Sequence, residues 1–304
     1  MPEGAPPQRG APSGDPSERR FRLDPAWLYL APAAALLGVY LLYPALSTLY
    51  MSLFDPRSGQ YVGLSHYAYL LTHRETILVF RNNLMWLLLF TSATVVLGLL
   101  LAVLTNQVRY EAIAKAIVFV PMAVSFTAAA VIWRFMYVFQ PARFDQIGVV
   151  NAIVTTLGGQ PVAWISNTTY NNFALIVAGT WIWTGFALVV VSAGLKGIPA
   201  EIIEAARVDG ANERQIFWNV ILPMLQPVIV VVAVTLVINS LKVFDLVYVM
   251  TFGNFNTDVL ANRMFKEMFT FGNFGRASAV AVILLAGILP LMALNIRRFR
   301  REQT

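Results

Sequence analysis

The chain contains no cysteine, which excludes a disulfide framework, a lipid-modified cysteine anchor, a thiol nucleophile and a cysteine metal site. It has only two histidines, His66 and His73, seven apart in an expected loop, and these read as unrelated polar residues rather than a metal centre. No lysine follows a glycine, so a GxxxxGK[ST] phosphate loop is absent, and neither HExxH, GxSxG nor a paired-acid arrangement occurs. No catalytic residue and no metal ligand is assigned. Charge is scarce as well: Asp, Glu, Lys and Arg make up 12% of the 304 residues, against 58% hydrophobic. That balance excludes an ordinary soluble domain and leaves a membrane protein.

Long uncharged runs carry the same message, among them Pro25–Phe54, Asn82–Val108, Gln146–Leu195 and Gln215–Leu241. A crossing needs roughly 20 mostly apolar residues. Breaks at Gly158-Gly159-Gln160-Pro161 and at 167–172 leave one good span in the longest run. The expected spans are Leu28–Phe54, Leu84–Thr105, Ala114–Phe139, Phe173–Ala193, Pro227–Met250 and Ala277–Ile296, with outer loops at 51–83 and 251–276. Ile147–Leu157 has a helical pattern suited to lying along the interface. The fold class is therefore all-α, a polytopic membrane protein of six transmembrane helices. Residues 1–23, rich in Pro, Gly and charge, read as a disordered cytoplasmic tail, and 24–304 as the membrane domain. The first apolar run is too long for a signal-peptide core and reads as a retained helix.

The net charge of +6 is read by location. With the N-terminus inside, the cytoplasmic segments hold 13 of the 22 lysines and arginines and the opposite side holds 7. This excess favours a multi-pass protein of a bacterial or archaeal inner membrane with both termini cytoplasmic. The partner implied by the charge is the lipid bilayer, not nucleic acid.

One polar connection, 194–226, is more structured than a return to the bilayer requires. Pro199 suits a first helical position, and Glu201 and Glu204 lie near the positive end of the helix dipole. Ile198, Ile202, Ala205 or Ala206, and Val208 make an apolar stripe at helical spacing. Gly210 supplies the permissive backbone common just past a helix C-terminus. Asn212 can cap a second helix, with Gln215 in a capping-box position. Without more, the pair reads as interfacial helices resting on lipid, and Arg207 and Arg214 as solvated or lipid-facing charges.

The residues themselves are more specific. Glu204-Ala205-Ala206, three residues, Gly210, nine residues, Val220, one residue and Leu222-Pro223 resembles the signature loop of permease subunits in binding-protein-dependent ABC importers. Val220 stands where Ile is usual. Gly194–Pro199, Phe244-Asp245 through Met250-Thr251, and Gly275–Ala279 resemble the sugar branch of that family, nearest the MalF-like maltose, trehalose and α-glucoside permeases. The likeness covers about residues 25–300. Two features depart from it: no large extracellular insertion is present, and Thr251-Phe252-Gly253-Asn254 replaces a frequent Gly-Gly-Pro.

The resemblance implies the type I ABC importer permease fold and half of a translocation path for a disaccharide or α-glucoside. It implies a second permease subunit as heterodimer partner, two ATPase subunits carrying the ATP and Mg, and an extracytoplasmic sugar-binding protein that delivers an oligosaccharide. No cofactor is expected on this chain. Residue by residue, it places Glu204, Ala205, Ala206, Asp209, Gly210, Leu222 and Pro223 at the contact that transmits ATPase motion.

A charge inside a span costs on the order of 2.5–3.5 kcal/mol on insertion scales. Asn239, Lys242 and Asp245, spaced by three, share one sector of an expected fifth span. They read either as a local Lys242–Asp245 ion pair or as the lining of a polar path. Tyr248, Trp181 and Trp183 are candidate sugar platforms, although rings serve packing equally well. Arg134 reads as a snorkelling charge near the outer end of the third span. A secondary transporter or channel is the alternative class; it would need an inverted repeat or paired broken helices with ion ligands, and it leaves the Glu-Ala-Ala segment unexplained.

Overall fold

The protein is described here by a computed structural model covering residues 25–55 and 58–302, with side chains described for 29–55 and 58–290. The expected tail 1–23 and Arg57 lie outside the described residues. The chain divides into two compact units, Met1–Ser47 and Thr48–Thr304. In the first, the described residues are helical, as the start of α1, Tyr29–Met51. Everything below concerns the second.

There, helices are joined by turns and by two longer connections, 137–148 and 157–170. They are α2 (Ser65–Thr72), α3 (Arg74–Thr105), α4 (Glu111–Ala123), α5 (Phe126–Met136), α6 (Val149–Thr156), α7 (Asn171–Lys196), α8 (Ala200–Val208), α9 (Glu213–Leu241), α10 (Asp245–Thr251), α11 (Leu260–Phe265) and α12 (Phe274–Glu302). Four helices, α1, α3, α7 and α9, are individually long and apolar enough to cross a bilayer. Taken together, the bent pair α4–α5 has the length and composition of a fifth span, and α12 supplies the shorter apolar stretch Phe274–Pro290 where the sixth was expected.

Four expected boundaries change. The outer loop 51–83 is largely helical, because α2 lies within it and α3 starts at Arg74, ten residues ahead of the apolar run. His66 is thus a buried helical residue whose Nε2 lies 3.2 Å from the Phe54 carbonyl, not a loop histidine. The third span is not straight: Pro121 weakens the last turn of α4, Ser125 restarts the chain by accepting the Ala128 N–H, and α5 leaves at 99°. The fifth span starts at Glu213 and ends at Leu241, so residues 242–250 belong to a break and to α10. Pro199 sits one residue ahead of α8 rather than at its first position.

The core centres on α7, whose Leu175, Ile182, Leu188 and Val191 are fully enclosed. Lipid is as apolar as leucine, so close approach of small residues carries helix association. The glycines of α7 do this against three neighbours. An added Cβ at Gly179 would lie 2.8 Å from the Trp86 ring of α3, at Gly185 2.6 Å from the Val118 carbonyl of α4, and at Gly194 2.9 Å from Val228 of α9. Replacing Gly185 by Leu drives a side chain into backbone, not into a movable side-chain tip. We expect a loss on the order of 1–3 kcal/mol or more, read as a lower thermal unfolding midpoint of the purified protein, with Gly197→Ala as the tolerated control, since a Cβ there meets only its own turn.

Candidate functional site

α3 and α7 run parallel, as their starts and their ends share partners. At one end Asn82 Nδ2 donates to the Asn256 and Asp258 carbonyls at 2.7 and 2.9 Å, and Asn171 Nδ2 to the Phe255 carbonyl at 2.7 Å. At the other, Ser192 Oγ donates to Asn106 Oδ1 at 2.8 Å and Lys196 Nζ pairs with Glu111 Oε1 at 2.7 Å. Lys115 bonds Glu111, Ser192 and Asn106 as well, which ties the C-terminal end of α7 to the start of α4.

Beyond Lys196 the chain turns through Gly197-Ile198 into α8, which buries no residue. Glu204, Ala205, Asp209 and Gly210 are exposed and Ala206 half-buried. Of the apolar stripe, Ile198 is half-buried against the core and Ile202 and Val208 are exposed, Val208 at 88%. Among the described residues, none covers the outward part of this amphipathic helix, at Ile202 and Val208. Gly210 takes φ +83, a left-handed exit that a side chain would strain. Asn212 and Gln215 then form the expected capping box, both bonds at 2.9 Å. Arg207, read from sequence as a solvated or lipid-facing charge, donates to Glu213 Oε1 at 2.9 Å and braces α8 against α9; that bond raises the Arg207 pKa. The pair is exposed and sets an angle more than it stabilises. Leu222 is half-buried and Pro223 exposed, both in the body of α9. Pro223 cannot donate a backbone bond, and the helix widens over Phe217–Ile221 just before it.

Further toward the other end, a cavity of about 240 Å³ opens between α3, α5, α7 and the α9–α10 break, lined by Trp86, Phe126, Trp183, Asn239, Lys242 and Asp245 among others. Asn239, Lys242 and Asp245 do meet here, but not as one helical sector. Asn239 lies in the last turn of α9, Lys242 caps it, and Asp245 opens α10 after Val243-Phe244. The expected ion pair is not what Asp245 makes: its Oδ1 lies 3.5 Å from Thr127 Oγ1 of α5. An acidic first residue suits the positive end of α10. Trp183 stacks with Phe126 at 6.0 Å, and both rings come from helices that enclose the cavity. Trp181, two residues away and hence on another face of α7, packs edge-on to Trp133 outside the cavity. Tyr248 also stands outside it, between Phe244 and Phe252. Arg134 ends α5, its Nη1 3.5 Å from the Val249 carbonyl.

Sequence reasoning missed Trp86, Phe126 and the buried asparagines. The asparagines had a signal: Asn82-Asn83 and Asn171-Asn172 are adjacent amide pairs at the head of apolar runs, and a buried amide must find partners.

The family described as "Binding-protein-dependent transport system inner membrane component" matches residues 94–299. The osmoprotective compounds uptake permease protein GgtC of Synechocystis sp. is 53% identical over 91% of this chain and 99% of its own length. The alpha-glucoside transport system permease protein AglF of Rhizobium meliloti is 46% identical over 91% and 82%. In fold, the chain is similar to one from the crystal structure of a bacterial alginate ABC transporter in complex with an alginate pentasaccharide-bound periplasmic protein, with a TM-score of 0.76 at 22% identity, covering 91% and 94% of the two chains.

Proposed function

The chain belongs to the family of binding-protein-dependent transport system inner membrane components, and from that premise we propose that it forms half of the path by which an ATP-driven importer moves a disaccharide or α-glucoside. It is a multi-pass membrane subunit and not an enzyme; ATP hydrolysis resides on a separate subunit. We infer further that two ATPases carry ATP and Mg, that a second permease completes a heterodimer, and that a sugar-binding protein feeds it. Both termini face the cytoplasm of an inner membrane in this reading.

The observation that carries it is the position of α8. It joins α7, which brings Trp183 to the cavity, to α9, which brings Asn239. A partner that pulls on Glu204, Ala205, Ala206, Asp209 and Gly210 moves both cavity walls as rigid rods. Trp183 lies about 20 Å along α7 from its inner end, at 1.5 Å per residue. The Glu111–Lys196 pair carries the same motion to α4 and, through the bend, to Phe126. Aromatic faces, an amide and two charges of opposite sign suit a polyhydroxylated ligand, which presents apolar ring faces and many hydrogen-bonding groups. The name of AglF supports the α-glucoside class.

The test is ATP hydrolysis by the co-purified complex across mono- and disaccharides delivered by its binding protein. Stimulation by α-glucosides supports the reading; stimulation by none of them opposes it. Within that assay, Asn239→Ala and Trp183→Ala should raise the KM for uptake about tenfold, on the order of 1.4 kcal/mol, with unchanged co-purification of the ATPase. Unchanged uptake kinetics would place the path elsewhere.

A further inference from the structure

A second, more polar cup of about 400 Å³ lies at the outer ends of α3 and α11, lined by Asn82, Phe252, Phe255, Asp258, Arg263 and Lys266 among others. It stands one helical turn outward of the first cavity, since Asn82 lines the cup and Trp86 the cavity on the same helix. The loop that forms its wall is held against its own backbone preference. Phe252, Phe255 and Asn256 have φ of 54, 55 and 62, and Gly253 has 71. Non-glycine residues rarely adopt such angles, and a cluster of them points to function. Buried asparagines enforce the shape through the bonds from Asn82 and Asn171, and Thr251 and Thr257 share a 2.6 Å hydroxyl contact inside the loop. The tip, Asn254-Phe255-Asn256, is left exposed, Phe255 at 50%.

The cup is charged and aromatic at once. Asp258 and Lys266 pair at 3.4 Å, each largely buried, and Lys266 Nζ lies 5.2 Å over the Phe252 ring. Burial raises the Asp258 pKa against the pull of Lys266. A row of rings leads inward from there: Phe252 to Tyr248 at 5.1 Å and Tyr248 to Phe244 at 5.0 Å, four residues apart each time, with Phe244 lining the first cavity.

We propose that the cup is a second carbohydrate site, which receives a pyranose ring before it passes along Phe252, Tyr248 and Phe244 to the first cavity. The proposal rests on the sugar-importer reading and adds a station to it. Lys266, whose ammonium keeps donors beyond its contact with Asp258, and the exposed Asn254 and Asn256 on the cup wall offer hydrogen-bonding groups to hydroxyls, and Phe255 offers an apolar ring face. Tyr248 thereby gains a role that its place outside the cavity otherwise denies it.

The test uses the complete transporter in nanodiscs, with trehalose and maltose as probes. The chain has no cysteine, so Asn254→Cys can carry a single environment-sensitive dye beside the cup. A saturable dye response to free sugar is expected. Phe255→Ala, which removes only an exposed ring, should weaken that response about 3- to 10-fold, the size of one aromatic contact. Lys266→Met should do the same or more. Trp183→Ala, which alters the first cavity, should leave it in place. The inference is overturned if sugar stimulates hydrolysis and the dye stays silent, if Trp183→Ala abolishes the response, or if Phe255→Ala leaves it unchanged. It is also overturned if Phe255→Ala weakens only the affinity for the binding protein, since the cup is then a protein-docking surface. Absence of both a dye response and stimulated hydrolysis with either sugar would instead count against the sugar reading itself.

Discussion

Gly210→Pro and Glu204→Lys should each abolish sugar-stimulated ATP hydrolysis while the protein still inserts and purifies. Gly210 has φ +83, and an added Cβ there meets nothing within 4 Å. The position is therefore restricted by backbone conformation and not by space. Proline fixes φ near −65°, so the chain could not leave α8 at its present angle, and the Arg207–Glu213 brace would part. Because α8 buries no residue, the membrane part has little reason to notice. Glu204→Lys changes no contact within the chain beyond its weak pull on Arg207. It reverses the charge on the exposed face, which an ATPase groove built to receive a carboxylate would reject. Gly210→Ala is the graded control, expected to retain partial coupling since alanine tolerates positive φ at a cost on the order of 1 kcal/mol. The measurement is ATP hydrolysis with and without loaded binding protein. Normal stimulation in both severe variants would remove α8 as the seat of the motor.

Glu267→Ala should be the most destabilising single change outside the spans. Glu267 is fully enclosed in the wide turn Lys266–Thr270 that follows α11. Its Oε1 accepts Nη2 and Nε of Arg263 at 2.7 and 2.9 Å, and its Oε2 lies 3.7 Å from Nε of Arg276 on α12. Arg263 is itself 7% exposed. Removing the carboxylate leaves the buried Arg263 guanidinium facing Arg276, with only the exposed Glu75 carboxylate 3.7 Å away, at a cost approaching the roughly 3–5 kcal/mol of a broken buried pair. Breaking such a pair is far worse than replacing it whole, so Glu267→Leu combined with Arg263→Met should recover much of the loss. Thermal unfolding of the purified complex reads both variants. A Glu267→Ala midpoint unchanged from wild type would mean that water reaches the cluster. The loop Phe252–Asp258 leans on this cluster through Lys266, so uptake should fall with stability even though α8 is untouched.

The sequence and the structure agree where one local rule decides the outcome. Apolar length located α1, α3, α7 and α9 because lipid leaves the backbone no partner but itself. The capping box at Asn212 and Gln215 and the left-handed Gly210 were legible because both are set by residues within one turn. The bend between α4 and α5 was harder to see, although Pro121 and Ser125 stand next to it. An apolar run reads as continuous whether or not the helix turns inside it. The end of α9 was hidden for the same reason: Val243-Phe244 is as apolar as the helix before it, so spacing put Asn239, Lys242 and Asp245 on one face. The cavity nonetheless gathers those three, across a break rather than along a helix. Trp86 and Trp183 reach it from helices that are far apart in the sequence. Periodicity could not choose Trp183 over Trp181, because only the neighbours of α7 distinguish its faces.

The most direct test of the account is whether α8 touches the ATPase. Ala205→Cys gives the otherwise cysteine-free chain one thiol on the exposed face of α8, and a benzophenone maleimide attached there can be photoactivated in the assembled, reconstituted transporter. The account predicts a crosslink from this chain to the ATPase subunit, with a yield that changes when ATP is added. Labelling confined to lipid or to the second permease, with and without ATP, would contradict it.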